Sequence, residues 1–303
     1  MILLLHKMAF MDKRFYKYIT VGDDDKRWGM YLTGAGHIKI DKNTKYPLVD
    51  DPSHHYFHWS IGRRLSEYQI LYITRGEGIF ESEITSPKKV YAGDVFILFP
   101  HIWHRFKPEI TIGWDEYWVE FDGDLINHYR TKEFLNPENP IISIGLQMDI
   151  IENYQKIIKL IKDKNPGFQY TASGILMQIL GQVFATKKYQ LFEGKIIENQ
   201  IKQAKILIME NLYSAISQET IAQNIGMGYS SYRKRFKEYT GVSPTQYQIQ
   251  LRLNKAKDLL VTTHKPLKAI ANDLGFESSD YFLRLFKQKT GYTPSDFREK
   301  NKR

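Results

Sequence analysis

The sequence contains no cysteine, which excludes disulfide bonds and thiolate metal sites. It also lacks a long apolar run near its start, because the stretch from Ile2 to Leu5 is far shorter than a signal-peptide core or a membrane span. We therefore expect a cytoplasmic protein without membrane association, although Met8 and Met11 leave the true start codon open. With 303 residues, of which 42% are hydrophobic and 25% charged, the chain can bury the cores of two or three domains.

Positive charge is concentrated in the last third of the chain. Residues 195–303 contain 19 basic and 10 acidic side chains, whereas the rest of the chain has 24 of each. Such an excess attracts the phosphate backbone of DNA through counterion release, whatever the base sequence. A solvated, lysine-rich surface would have the same composition. Charge therefore supports nucleic-acid binding without establishing it.

Residues 16–121 consist of short β-rich runs broken by Gly, Pro, Asp and Asn, which predicts a sandwich or barrel. One run, 68–74, ends before the sequence RGEG at 75–78, and another pair of runs within 90–98 is separated by Gly-Asp at 93–94. The last run alternates strongly and places four large, polar-tipped residues on one face: Trp114, Glu116, Trp118 and Glu120. These residue types suit the inside of a barrel that holds a wet ligand better than a dry core.

A helical period replaces the strand pattern after residue 140. Apolar residues recur at helical spacing within 148–162 and 170–184, which predicts a helical hairpin within 148–186. Both helices have apolar residues on more than one side, so they either pack on the barrel or form a dimer seam between two chains. The polar stretch 187–194 is the predicted linker, and only helices are predicted from residue 195 onward.

Two segments of the basic third match at nearly constant spacing. Two residue pairs are 49 positions apart and three are 50 apart: Ile221 and Ile270, Gly226 and Gly275, then Phe236 and Phe286, Gly241 and Gly291, Pro244 and Pro294. Glycine suits the left-handed residue that ends a helix, and proline suits a first helical turn. The repeat predicts two helix-turn-helix units, at about 217–241 and 266–291, joined by one long helix from 244 to 262.

The second helix of each unit would read DNA if its phenylalanine points into the core. The predicted DNA-binding residues are Ser230, Arg233, Lys234, Ser279, Asp280 and Arg284. An arginine can form two hydrogen bonds to guanine, and such a pair favours guanine over a wrong base by about 1–3 kcal/mol. Arg233 and Arg284 are therefore predicted to read bases. Asp280 could accept from cytosine or cap its helix, for which Ser278 and Ser279 are also candidates, and Ser217 is a predicted cap in the first unit.

The stretch 275–298, which reads GFESSDYFLRLFKQKTGYTPSDFR, resembles the signature of the AraC/XylS family of bacterial transcription regulators. The resemblance covers about 195–303 and implies two helix-turn-helix units in successive major-groove segments of double-stranded DNA. It also implies RNA polymerase as a partner, and we expect the helical hairpin to join two chains as a homodimer. Two features depart from the family pattern: Phe297 stands where tyrosine is usual, and Met227-Gly228 replaces a more typical turn and serine.

Residues 67–121 also resemble the regulatory domain of that family, a cupin-like barrel. The matching segments are 72–78, 93–104 and 114–121. The resemblance implies that Arg75 and Trp118 contact a small-molecule effector, which is a sugar in sugar-responsive relatives. An indole can stack on the C–H face of a sugar ring, and a guanidinium can donate to its hydroxyls. The predicted ligand-binding residues are Arg75, His104, Trp114, Glu116 and Trp118.

Histidines raise the alternative of a metal site. Residues of the right type are His54, His55, His58, His101 and His104. The glycine and the glutamate that surround the first histidines in enzymatic cupins are missing, however. We therefore predict no metal, no cofactor and no catalytic residue, and expect His104 to line the pocket as a hydrogen-bonding residue.

The sequence thus predicts an α+β protein of two domains. Residues 1–186 form a cupin-like β-barrel with a helical hairpin, and residues 195–303 form an all-α DNA-binding domain. The predicted function is a sequence-specific transcription regulator, an activator that responds to a small carbohydrate and is not an enzyme. Two alternatives stay open: a metal-dependent cupin enzyme with a nucleic-acid-binding region, and a regulator whose barrel only dimerises or binds a protein partner.

Overall fold

The computed structural model describes residues 14–47, 59–131, 134–192, 195–213 and 216–301. The chain divides into two compact units, Met1–Gln190 and Leu191–Arg303. Some sequence features discussed above lie outside the described residues, namely the apolar run from Ile2 to Leu5 and the histidines His54, His55 and His58. Within the described ranges, no helix is long and apolar enough to cross a membrane.

The first unit is built on antiparallel strands. They are β1 (Arg14–Tyr18), β2 (Tyr31–Ile40), β3 (Tyr68–Ser82), β4 (Lys88–Tyr91), β5 (Asp94–Leu98), β6 (His104–Pro108), β7 (Trp114–Asp122) and β8 (Ile141–Ser143). The order across the sheet is β1-β2-β7-β3-β5-β8, and both β4 and β6 pair with the second half of β3. The predicted cupin-like architecture is confirmed in the form of an open antiparallel sheet that curls around β3.

Strand β3 is longer than the sequence predicted. It is one strand of 15 residues, whereas the run 68–74 was expected to end before Arg75. The register shifts between Ile73 and Arg75, and Gly76 adopts a φ of 81°, so the strand bends at this point and continues. The bend lets its first half pair with β5 and β7 and its second half with β4 and β6.

In the described part of the first unit, the sheet is accompanied by helices α1 (Asp23–Arg27), α2 (Asp124–Thr131), α3 (Met148–Asp163) and α4 (Phe168–Gln190). Helices α3 and α4 pack on one face of the sheet, where Tyr72, Tyr117 and Val119 share a core with Tyr154 and Leu176. Helix α4 continues through 187–190, which the sequence assigned to the linker. The other face of the sheet encloses a second, separate core. One face of β7 therefore packs on the helices, and the other, with Trp114 and Trp118, lines this second core.

In the described residues of the second unit, all regular elements are helices. Its helices are α5 (Ile196–Glu210), α6 (Gln218–Asn224), α7 (Tyr229–Thr240), α8 (Pro244–Thr262), α9 (Leu267–Asp273), α10 (Ser279–Thr290) and α11 (Pro294–Asn301). Pro244 begins the long helix, as expected, behind a capping box of Ser243 and Gln246. The turns after α6 and α9 use Gly226 and Gly275 at φ values of 68° and 64°, the left-handed conformation that glycine adopts at least cost.

The internal repeat is a structural repeat. Helices α7 and α10 have 12 residues each and begin 50 positions apart. The ring of Phe236 packs edge-on against Tyr247 at 5.4 Å, and the equivalent Phe286 packs in the same way against Phe297 at 5.5 Å. The residue gained in the second module lies in its turn, because Gly275 is three positions before the helix cap at Ser278, whereas Gly226 is two before the cap at Gly228.

Candidate nucleic-acid interface and ligand pocket

Helices α7 and α10 each bury one face and expose the other. The buried residues are Tyr232 and Phe236 in the first module and Phe282, Leu285 and Phe286 in the second. Five of the six predicted DNA-binding residues are exposed, and the sixth, Ser279, is half-buried; the exposed ones are Ser230, Arg233, Lys234, Asp280 and Arg284. Both helices therefore present polar and basic side chains on the face opposite the core.

The register between the modules shows which residues are equivalent. With an offset of 50 positions, Arg284 corresponds to Lys234, and Asp280 corresponds to Ser230. Arg233 corresponds to Leu283, which is half-buried. The two helices thus share one basic position and differ at the other, so their exposed faces carry different side chains.

A tyrosine accompanies the arginine on each of these helices. The Arg233 guanidinium lies 5.6 Å from the ring centre of Tyr229, and the Arg284 guanidinium lies 5.9 Å from that of Tyr281. A cation over an aromatic face is attracted by the ring quadrupole, and this limits the rotamers of the long side chain. Neither tyrosine was predicted to have a role. The signal was present, because residues three and four positions apart lie on the same side of a helix.

Helix α10 is capped by Ser278, whose hydroxyl accepts a hydrogen bond from the Tyr281 backbone N–H at 3.0 Å. The capping role that the sequence allowed for Asp280 or Ser279 therefore belongs to Ser278. The Asp280 carboxylate is exposed in the first turn, where its negative charge is favoured by the helix dipole. Ser217 caps α6 through the Thr220 N–H, as predicted.

A buried polar chain holds the first of these helices in place. The Tyr232 hydroxyl donates to Oε1 of Gln218 at 2.9 Å, and Nε2 of Gln218 donates to Oε1 of Gln248 at 2.9 Å. The three residues belong to α7, α6 and α8, so the chain joins all three helices. Burial raises the pKa of Tyr232, and its hydroxyl therefore stays protonated as a donor.

The inner face of the curled sheet is built around Trp118. Its side chain is 5% exposed and stacks on Tyr18, with ring centres 6.0 Å apart. Gly34 and Gly36 of β2 lie opposite Glu120 and Trp118 in the ladder, and the absence of side chains there makes room for the indole. The predicted common face of β7 is thereby placed inside the first unit.

A chain of polar side chains continues from Trp118 along the same face. Gln69 donates from Nε2 to Oε1 of Glu120 at 3.1 Å, and Arg63 lies 3.4 Å both from Oε1 of Gln69 and from Nε2 of His104. His104 in turn donates from Nδ1 to the Ile102 carbonyl at 3.0 Å. Hydrogen-bond donors and acceptors therefore lie on the same face of the sheet as the indole.

Burial sets the charge of this chain. Burial raises the pKa of Glu120 to about 8, and the nearby Glu67 adds to the effect. Burial, followed by the charge of Arg63, lowers the pKa of His104 to about 3. Both side chains are therefore neutral at pH 7, and the Glu120 carboxyl can donate as well as accept a hydrogen bond.

The other predicted ligand residues lie in different surroundings. Trp114 is fully buried and packs on Phe106, with ring centres 6.1 Å apart, in the apolar part of the inner core. Glu116 is buried on the same face between Trp114 and Trp118. His104 is also buried, at 1% exposure.

Arg75 is not brought together with Trp118. Its guanidinium donates from Nη2 to Oδ1 of Asp115 at 2.9 Å and lies 3.8 Å from Asp41. Asp115 alternates with Glu116 along β7 and so points to the opposite face of the strand. Arg75 is separated from Trp118 because the register shift between Ile73 and Arg75 sets the arginine beside Asp115. A role of Arg75 in ligand binding stays a prediction.

Sequence reasoning missed Arg63, Gln69 and Tyr18 as parts of the inner face. A signal existed for Gln69, since a glutamine inside the apolar run of β3 requires a partner when it is buried. Arg63 precedes β3 in an irregular segment, and no periodicity marks its direction. Among the described residues, no three side chains of the metal-binding types His, Asp and Glu come close enough together to hold a metal ion.

Comparison with known proteins gives two family matches. Residues 52–185 match an AraC-like ligand binding domain, and residues 221–300 match a helix-turn-helix domain. Together the two matches cover most of the chain, with one on each compact unit.

Three relatives match over most of their own length. The chain is 22% identical to the MmsAB operon regulatory protein of Pseudomonas aeruginosa, over 89% of this chain and 83% of that protein. It is 27% identical to the lactose operon transcription activator of Staphylococcus xylosus, over 75% of this chain and 81% of the relative. It is 25% identical to the arabinose operon regulatory protein of Escherichia coli, over 74% of this chain and 77% of that protein.

Proposed function

The chain belongs to the AraC family of DNA-binding transcription regulators with an N-terminal ligand-binding domain, and from this premise we propose that it activates transcription in response to a small, neutral carbohydrate. The relatives named as a lactose operon activator and an arabinose operon regulator support the ligand class. Since a regulator of operons acts on the bacterial chromosome, we place it in the cytoplasm. We assign it no enzymatic activity, because its relatives are named as regulators.

The observation that carries the proposal is the inner face around Trp118. An indole beside a chain of hydrogen-bonding groups matches a sugar, which has an apolar C–H face and a rim of hydroxyls. Glu120 and His104 are both held neutral at pH 7, so each can exchange hydrogen bonds with the hydroxyls of a sugar. Arg63 and Gln69 supply further donors in the same chain.

A thermal-shift screen with neutral mono- and disaccharides, and with the corresponding uronic acids, tests this assignment. We expect at least one neutral sugar to raise the melting temperature of the first unit, and Trp118→Leu to abolish that rise. Ligand present at about 100 times its dissociation constant adds about 2.7 kcal/mol to the stability of the folded state. A barrel that only dimerises or binds a protein would give no shift with any sugar, and a shift with the uronic acid alone would replace the neutral ligand by an anionic one.

The second unit is proposed to contact DNA through α7 and α10. Exposed Arg233 and Arg284 are the proposed readers of bases, and Lys234 the proposed partner of a base or phosphate at the position equivalent to Arg284. Ser230, Ser279 and Asp280 are proposed to complete the contact at the start of the two helices. Activation requires a contact with the transcription machinery, so RNA polymerase is the proposed protein partner.

We also propose that α4 forms the interface of a homodimer. One side of α4, which is exposed or half-buried, carries apolar or small residues spaced alternately four and three positions apart: Tyr170, Gly174, Met177, Gly181 and Phe184. This is the spacing of a coiled-coil seam. A Cβ on Gly174 or Gly181 would meet no atom within 4 Å, so the backbone of a second helix can approach closely there.

Sedimentation of two charge variants tests the dimer. Gly181→Glu places a carboxylate in the seam and is expected to convert the dimer to a monomer. Lys187→Glu introduces the same residue at an exposed position on another side of α4 and is expected to leave the dimer intact. A dimer that survives Gly181→Glu, or no dimer in the wild type, would remove α4 as the interface.

A further inference from the structure

Helix α8 belongs to both DNA-binding modules. Its first half contributes Tyr247 and Leu251 to the core of the first module. Its second half contributes Leu253, Ala256 and Leu260 to the core of the second. The two sets overlap along the helix, since Ile249 already packs on the second core, and Arg252 lies at this overlap between Leu251 and Leu253.

The guanidinium of Arg252 reaches backbone carbonyls of both modules. Its Nε donates to the carbonyl of Leu212 at 3.2 Å, and its Nη1 donates to the carbonyl of Gly275 at 2.7 Å. The same group lies 5.9 Å from the ring centre of Phe276, the residue after that glycine. A planar guanidinium with several fixed donors is suited to hold two acceptors in a set geometry.

Each of the two carbonyls stands next to an element that orients a DNA-contacting helix. Leu212 follows the end of α5, which shares the core of the first module with Tyr232 and Phe236 of α7. Gly275 is the left-handed turn residue between α9 and α10, three positions before the cap of α10. Arg252 therefore connects the framework of one helix to the turn that directs the other.

We propose that Arg252 is a positioning residue that fixes the distance and angle between α7 and α10, and thereby the separation of the two DNA boxes that the protein accepts. Two major-groove boxes on one face of DNA lie about 34–36 Å, or one helical turn, apart. One inserted base pair moves the second box along the axis by about 3.4 Å and rotates it around the duplex. A rigid pair of helices rejects such a site, whereas a loosely joined pair tolerates it. The inference rests on the proposed function, because both helices must contact DNA.

The test uses the full-length chain and three variants. Arg252→Gln removes the charge and the fork of donors, and Arg252→Lys keeps the charge but not the fork, which provides a milder change should the first variant unfold. Arg298→Gln is the matched control. Arg298 also donates to two carbonyls, those of Leu260 and Lys265, but it does not connect the two modules, because both carbonyls belong to the second one. A two-box site is first selected by the wild type from a pool of random-sequence duplexes, and versions with one base pair inserted or deleted between the boxes are then made.

We expect the wild type and Arg298→Gln to bind the duplexes with altered spacing about tenfold or more weakly than the selected site. A loss of this size corresponds to one lost base contact. For Arg252→Gln and Arg252→Lys we expect this penalty to shrink to about threefold or less, with binding to a single-box duplex unchanged. A purely structural role would weaken binding to all duplexes alike and leave the ratio between spacings unchanged, which would overturn the inference. If the wild type itself does not discriminate between one box and two, the two-helix contact proposed above is wrong, and that outcome is distinct from an unchanged ratio.

Discussion

The indole of Trp118 lies against Gly36 of the neighbouring strand, so closely that a Cβ on Gly36 would come within 2.6 Å of two indole carbons. Since real Cβ atoms do not approach carbon atoms to this distance, any larger residue at position 36 displaces the indole. The glycine therefore sets the position of the aromatic surface proposed to bind the ligand.

We expect Gly36→Ala to weaken sugar binding by about tenfold or more, because displacement of the indole costs on the order of 1–3 kcal/mol, as overpacking does. Binding is measured by tryptophan fluorescence. All five tryptophans, at positions 28, 59, 103, 114 and 118, lie in the first unit, so the signal reports on that unit alone. Gly22→Ala is the control, since a Cβ there meets its nearest atom at an ordinary 3.5 Å. Equal affinities of the two variants would contradict the role of Trp118.

The stability of the first unit is expected to depend on pH through Glu120. With its pKa raised to about 8, the folded state keeps a proton that the unfolded carboxyl has already lost. The free energy of unfolding therefore falls as pH rises toward 8, by up to about 1.4 kcal/mol per pH unit. Burial lowers the pKa of His104 to about 3 and also lowers that of His37, and both act in the opposite direction mainly below their ordinary pKa of 6.5. Glu120 therefore gives the larger effect between pH 6.5 and 8.

Glu120→Gln tests this pH dependence, since the amide keeps the size of the carboxyl but does not titrate. Denaturant unfolding followed by tryptophan fluorescence is compared at pH 6.5 and pH 8. The wild type is expected to lose stability across this window, and the variant to lose much less. Parallel losses in the two proteins would mean that Glu120 ionises normally in the folded state.

Arg284→Ala is expected to reduce sequence discrimination more than overall DNA affinity. A base-reading arginine contributes about 1–3 kcal/mol of discrimination at its own base pair, whereas a phosphate contact contributes equally to all sequences. Titrations on the selected site and on unrelated duplex DNA at fixed salt separate these effects. Lys287→Ala is the comparison, because Lys287 is exposed on the same helix but was not predicted to read bases. Unchanged discrimination in Arg284→Ala would rule out the proposed orientation of α10.

Tyr232→Phe is expected to destabilise the first DNA-binding module. The change removes the donor to Gln218 inside a buried chain and leaves an acceptor without its partner, which costs about 1–3 kcal/mol. Unfolding is followed by helical circular dichroism, and a transition without a change in tryptophan fluorescence belongs to the second unit, since all tryptophans lie in the first. Tyr213→Phe, which alters an exposed hydroxyl, is the control. Equal stabilities of the two variants would show that the buried chain contributes nothing measurable.

The sequence predicted the second unit in detail because every part of the repeat has a local mechanical cause. Gly226 and Gly275 must adopt left-handed turns, Ser217 caps a helix, and Pro244 begins one; each of these requirements can be read from neighbouring residues. The contact of Arg252 with Leu212 and Gly275 could not be predicted, since it joins segments 40 and 23 residues away.

The first unit was predicted less completely because its site depends on how strands pair. Alternation along β7 correctly indicated that Trp118 and Glu120 share a face. The pairing of Gln69 with Glu120, the approach of Arg63 and the register shift that sets Arg75 beside Asp115 are all tertiary. A one-residue shift reverses the face of a strand, and periodicity alone does not reveal it.

In vitro transcription tests the central claim most directly. The template carries the selected two-box site upstream of a promoter, and purified RNA polymerase is supplied with the full-length protein, with and without the sugar found in the thermal-shift screen. We predict that the sugar increases transcript several-fold with the wild type and has no effect with Trp118→Leu. Transcript that does not respond to any sugar, or that responds equally with Trp118→Leu, would contradict the account.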